Sequence, residues 1–265
     1  MNTDIEQVKR IIANSGNNFQ CKVLRYLQEK GWSVLISPYY NDNVSDKPRE
    51  IDLIAEKAFD VTDRRDKRCG TLHIRVFIEC KFIPQKIVFW FHSKDRIRAE
   101  KLVINNTPLP EGNDYTQQHH YLDQKHNHVA KLFDSETKKK AESEIIYKAI
   151  NQSLNAMVYY RNSRALIPAS PGRETDIVTT LCYPVIVCND FNNLYRIDID
   201  TSDEPANITD NFQLEVNYAY LDSSKNPVTE YFLIDVISLD RIDLFMDALQ
   251  KDARAAKIML RSESI

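Results

Sequence analysis

Three charged residues interrupt apolar, strand-like runs. Asp52 lies within Glu50-Ile51-Asp52-Leu53-Ile54-Ala55, and Glu79 and Lys81 close the run at residues 72–82. A strand alternates faces residue by residue, so Glu79 and Lys81 share a face while Cys80 points into the packing. If the two strands pair as a hairpin, Asp52 sits beside Glu79. Adjacent carboxylates repel unless a cation lies between them. A hard divalent ion such as Mg²⁺ takes oxygen ligands and keeps several waters. A lysine two residues on would hold or deprotonate one of those waters and oppose charge developing on a phosphate. Glu50 shares the face of Asp52 and is a supporting acid. The same spelling recurs at Asp134 and Glu136-Thr137-Lys138, but in a polar run with no strand around it, so it is set aside.

These residues need elements to position them. Residues 5–13 are amphipathic, and 19–30 read as a helix in which Phe19, Val23, Leu24 and Leu27 repeat at helical spacing before Gly31. Strands are expected at 32–40, 50–55 and 72–82, with a charged hairpin loop at 59–70. In the third, Ile74, Val76 and Ile78 alternate against His73, Arg75, Phe77, Glu79 and Lys81. A short basic helix follows at 93–103, then a loop at 105–115 and a polar, histidine-rich stretch at 117–134. The clearest helix is 142–161, followed by a linker at 163–174, strands at 179–188, 194–199, 212–221 and 231–237, and a last amphipathic helix at 240–259. This order predicts an α/β fold with a mixed central sheet flanked by helices. One domain is expected over 1–265, its core at about 17–82 and 140–260, with an inserted segment or lid at about 83–138 after the strand bearing Glu79.

Composition bounds the reading. The 265 residues are 43% hydrophobic and 28% charged, values of an ordinary globular chain and not of a fibre or a disordered tail. The net charge of −3 offers no global attraction for nucleic acid, so such binding must rest on local patches. Cys21, Cys69, Cys80, Cys182 and Cys188 form no C-x-x-C pair and read as reduced thiols of a cytoplasmic protein. No signal peptide is seen, and the longest apolar runs are far short of a membrane span, so no membrane partner is expected. No glycine-rich phosphate loop or G-x-S-x-G elbow is present.

Asp52 with Glu79-Cys80-Lys81 resembles the signature of the PD-(D/E)xK nuclease superfamily, which includes many restriction endonucleases. Residues 19–24 followed by Gly31-Trp32-Ser33-Val34 are similar to that superfamily's first helix and strand, and Pro48-Arg49-Glu50-Ile51-Asp52 to the start of its second strand. Gln152 and Tyr159 resemble a glutamine and a tyrosine that some branches place on the following helix. The resemblance implies a restriction-endonuclease-like fold and an Mg²⁺- or Mn²⁺-dependent deoxyribonuclease. Asp52, Glu79 and the backbone carbonyl of Cys80 would ligate metal, and Lys81 would position or activate the attacking water. Gln20, where the superfamily often has glutamate, and Gln152 would support the site. The resemblance also implies a role in anti-phage defence or restriction, with an ATPase or recognition subunit as partner; cutting both strands would favour a homodimer. A catalytically weak nuclease-fold subunit used for DNA binding or assembly is one alternative, to which Gln20 lends support. An RNA-directed nuclease is another.

Lys94, Arg96, Arg98 and Lys101 follow Lys81 closely and are the expected nucleic-acid contacts. Further basic groups fall at Arg64, Arg65, Lys67 and Arg68, at Lys138, Lys139 and Lys140, and at Arg161 and Arg164. His119, His120, His126 and His128 allow a zinc reading, since imidazole is a common ligand, but their spacing matches no closed-site pattern and they read as a polar surface or substrate-facing helix. Phe89-Trp90-Phe91 reads as core or interface in preference to a base-stacking platform.

Overall fold

The computed structural model describes residues 3–13, 15–135, 144–162, 177–201, 204–222 and 224–263. Helix α1 (Thr3–Ala13) is followed by α2 (Gly16–Glu29), which buries Phe19, Val23 and Leu27. Ser15 caps α2 by accepting the Asn17 amide at 3.1 Å, and the chain leaves it through Gly31 at φ +77°, a conformation that favours glycine.

The single strand expected at 32–40 is two, β1 (Ser33–Ile36) and β2 (Tyr39–Asn41), divided at Ser37 with φ 49°. The break turns β2 away to pair with β3 (Pro48–Glu50) as a separate ribbon, while β1 pairs with β4 (Leu53–Thr62). Strand β4 and β5 (Arg68–Lys81) form an antiparallel hairpin that pairs Leu53 with Ile78 and Thr62 with Arg68. The loop expected at 59–70 is therefore only a tip at 63–67. The charged residues of the tip, 64–67, stay in solvent, and half-buried Arg68 beside it is paired, its Nε meeting Asp60 Oδ1 at 2.9 Å.

The remaining elements are β6 (Ile87–Ser93), α3 (Arg96–Asn106), α4 (Asp114–Gln117), β7 (His128–Ser135), α5 (Ile145–Tyr160), β8 (Ile177–Cys188), β9 (Leu194–Asp198), β10 (Ala206–Asn207), β11 (Phe212–Leu221), β12 (Pro227–Ser238) and α6 (Ile242–Glu263). Among the described residues, ten strands form one mixed sheet in the order β1-β4-β5-β8-β12-β11-β7-β6-β9-β10. Strand β5 is central: it pairs in parallel with β8 over twelve residues, from Gly70–Ile177 to Lys81–Cys188. Helices α2, α3 and α6 cover one face, and α5 covers the other.

The described part of the expected insertion, residues 83–135, does not lie over the sheet as a lid. Its strands β6 and β7 pair with each other inside the sheet and are extended by β9 and β11 on either side, and α3 packs on β12. Burial explains this: Ile87, Phe89, Phe91 and Ala130 supply an apolar face that only sheet insertion removes from water. Phe89 and Phe91 are core residues, in line with the sequence reading. No described helix is long and apolar enough to cross a membrane.

Candidate functional site

The register of the β4–β5 hairpin, carried one step past Leu53–Ile78, sets Asp52 opposite Glu79. The two acids are strapped across the gap. Asp52 Oδ2 accepts the Cys80 amide at 2.7 Å, and Glu79 Oε1 accepts the Asp52 amide at 3.4 Å. Lys81 Nζ lies 2.5 Å from Glu79 Oε2 and 3.8 Å from Asp52 Oδ2. Asp52, Glu79 and Lys81 thus converge at one end of the hairpin. The Glu79 side chain is wholly buried and Asp52 is about a quarter exposed, so the cluster opens to solvent on the Asp52 side.

Burial pushes the Glu79 carboxyl up to about 8, with Lys81 opposing and Asp52 adding to the rise. Burial alone would lower Lys81, but Glu79 and Asp52 outweigh it and hold its ammonium above the usual lysine range. Burial also raises the Cys80 thiol, on the opposite face of β5. What Cys80 offers the site is backbone. The Lys81 carbonyl accepts the Asn189 amide at 3.1 Å on the β8 side, whereas the Cys80 amide faces Asp52. A strand residue points its amide and carbonyl the same way, so the Cys80 carbonyl faces the Asp52 side as well.

Two glutamines hold the segment carrying Asp52. Gln20 Nε2, on α2, donates to the Asp52 carbonyl at 2.7 Å, which also accepts the Ser37 amide at 2.9 Å. Gln152 Nε2, on α5, donates to the Glu50 carbonyl at 3.0 Å. Glu50 itself lies on β3, outside the strand that follows Asp52, and pairs with Tyr39. Tyr159 is half exposed, its ring 6.3 Å from that of Tyr40.

The expected nucleic-acid contacts do not join this cluster. Helix α3 packs on the sheet face away from Lys81, and its approach residues are engaged there. Lys94 Nζ donates to the Tyr121 carbonyl at 2.7 Å and to Gln213 at 2.8 Å; Arg96 reaches Gln117 at 2.7 Å; Arg98 bonds Asn217 and lies 4.7 Å over the Tyr231 ring. Lys101 is exposed on the same helix. Proximity in sequence fails because β5 ends at Lys81 and the chain crosses the sheet through β6 before α3 begins. Arg64, Arg65 and Lys67 sit at the hairpin tip, on the order of 30 Å along the strands from Asp52. Lys138, Lys139, Lys140 and Arg164 lie outside the described residues.

Among the described residues, two further polar clusters are buried. On the α5 face, Glu56 accepts from Arg75 Nε at 2.7 Å and lies 3.1 Å from His73 Nδ1, while Arg75 Nη1 donates to the Tyr160 carbonyl at the end of α5 at 2.7 Å. On the opposite face, His119 and His120 are buried against Asp252 of α6 and Asp235 of β12. The surface reading of these histidines is corrected: buried carboxylates pay their desolvation, and a pairing 132 residues away in sequence has no local signal.

Compared with known proteins, the chain matches no family model, no curated protein and no solved structure.

Proposed function

We propose that the chain is a metal-dependent nuclease that hydrolyses DNA phosphodiester bonds through Asp52, Glu79 and Lys81. One observation carries the reading: a wholly buried carboxylate, Glu79, faces a second acid across a hairpin end with an ammonium beside both. The donor set suits a hard divalent cation such as Mg²⁺ or Mn²⁺, because carboxylate and carbonyl oxygens are available. Asp52, Glu79 and the Cys80 carbonyl would hold it. When bound, such a cation supplies positive charge to a phosphate and acidifies a bound water. Lys81, kept protonated by its neighbours, orients that water and opposes charge developing on the phosphate. Gln20 and Gln152 keep the chain at Glu50 and Asp52 in place for this arrangement.

DNA as substrate rests on the resemblance of this cluster and its flanking elements to PD-(D/E)xK nucleases, as does a role in restriction or anti-phage defence with a recognition or ATPase subunit. The test is cleavage of linear, supercoiled and single-stranded DNA and of RNA, in Mg²⁺, Mn²⁺ or EDTA. Wild type is compared with Glu79→Ala and Lys81→Ala. The expected result is metal-dependent cutting of DNA that falls by about 10²–10³ in each variant. Cutting that survives both substitutions, or that acts on RNA alone, would overturn the assignment.

A further inference from the structure

The buried histidine pair and its aspartates lie across the sheet from Asp52 and Glu79 and have no part in the function proposed above. Three polar groups converge on a single oxygen, Asp252 Oδ2. His119 Nε2 and the Tyr183 hydroxyl each lie 3.2 Å from it, and His120 Nδ1 makes a very short contact with it. One nitrogen from each histidine and one Asp252 oxygen all fall within 4.8 Å of one another. The other His120 nitrogen, Nε2, is 3.1 Å from Asp235 Oδ2. Asp252 also accepts the His120 backbone amide at 3.1 Å, which fixes the carboxylate relative to the ring.

We propose that His119, His120 and Asp252 form a binding site for a divalent metal of the zinc class. Two imidazoles and one carboxylate are the ligand chemistry of zinc and its transition-metal neighbours, whereas Mg²⁺ favours an all-oxygen shell. The hydrogen bond from His120 Nε2 to Asp235 is the outer contact that metal-ligating histidines characteristically make: it fixes the ring and leaves Nδ1 for the metal. The cation takes the place of the proton between His120 Nδ1 and Asp252, and that proton leaves to solvent. At His119, Nδ1 accepts the Tyr121 amide at 3.2 Å, so coordination through Nε2 moves the ring hydrogen to Nδ1 and turns the ring out of that contact. A cleft of about 790 Å³, lined by His120 and Asp235 together with Phe245 and Lys251 of α6, reaches the cluster from the His120 side, while His119 and Asp252 lie buried behind it. Three protein ligands leave a fourth position for water or a ligand oxygen. The site joins the segment after α4 to α6, elements otherwise far apart in the chain.

The test uses the full chain carrying Asp52→Asn, so that zinc at the first cluster is suppressed. Chelator-treated protein is titrated with Zn²⁺ and with Mg²⁺ by calorimetry, and loaded with Co²⁺ for visible absorption. The expected result is one Zn²⁺ per chain, no Mg²⁺ at this position, and a nitrogen-ligated tetrahedral Co²⁺ band. His119→Gln and Asp252→Asn are expected to lose binding, and Asp235→Asn to weaken it by about 10- to 100-fold. If Asp252→Asn does not fold, the Co²⁺ spectrum of the Asp52→Asn protein and the milder Asp235→Asn variant decide the matter. Absence of Zn²⁺ binding in the folded Asp52→Asn protein, or binding indifferent to His119 and Asp235, would overturn the proposal.

Discussion

Asp52 and Glu79 grip each other's backbone: the Asp52 carboxylate takes the amide of Cys80, next to Glu79, and Glu79 takes the amide of Asp52 itself. The acids are thereby part of the hairpin's closure as well as candidate ligands, and the two roles separate by mutation.

Asp52→Asn keeps an acceptor for the Cys80 amide and removes the charge. It is expected to fold with near wild-type stability while losing metal-dependent cleavage. Asp52→Ala leaves that part-buried amide without its partner and is expected to cost about 1–3 kcal/mol in addition. Urea denaturation of the two variants checks the difference; equal losses would remove the strap from the account.

Glu79 gives a pH dependence with a definite sign. Burial raises its folded-state pKa from 4.5 to about 8, so the folded chain holds this proton more tightly than the unfolded chain does. The associated stability is fully present below 4.5 and is lost as pH rises through about 8. In EDTA, Glu79→Gln has no such loss. Its urea midpoint is expected to meet that of wild type at the acid end of this window and to lie above it at the alkaline end. Parallel curves would show that Glu79 does not carry the shift.

Gln20 donates to a carbonyl, a task glutamate cannot perform. Gln20→Glu places a carboxylate oxygen against the Asp52 carbonyl oxygen, now 2.7 Å from the amide nitrogen. The expected result is a loss of about 1–3 kcal/mol and slower cleavage, with no gain of a metal ligand. Faster cleavage, or a second bound Mg²⁺, would contradict this.

The buried Glu56–Arg75 pair is expected to show strong coupling. Arg75→Met leaves Glu56 charged in the core and is expected to cost about 3–5 kcal/mol, whereas Glu56→Leu combined with Arg75→Met is expected to cost less than Arg75→Met alone. A double-mutant cycle in urea measures this, and additive losses would count against a desolvated pair.

The alternation along residues 72–81 was legible in the sequence, and so was the meeting of Asp52, Glu79 and Lys81. What alternation does not reveal is that both faces are covered. His73, Arg75, Glu79 and Lys81 share a row with Phe77 beneath α5, where the first three are wholly buried: Arg75 bonds Glu56 and the Tyr160 carbonyl, Glu79 meets Lys81, and His73 meets Glu56 through Nδ1 while its buried Nε2 has no partner among the described residues. The sheet positions of β6 and β7 were hidden for a related reason. Their pairing with β9 and β11 is long-range, and the polar residues between them mask a buried apolar row. His119 and His120 looked solvated because Asp235 and Asp252 arrive from the last strand and helix, and no spacing rule links residues so distant.

The hairpin ladder also limits how this chain can change in length. Because side chains reverse face at each step, deleting one residue between Leu72 and Ile78 would slip every later partner and turn Cys80 toward α5 in place of Glu79. The tip at 63–67 lies outside the ladder, so the hairpin can grow or shrink there without reassigning a single side chain. Insertions and deletions are thus channelled to the end of the hairpin farthest from Asp52, where peptide tags or whole loops can be grafted while the site stays in register.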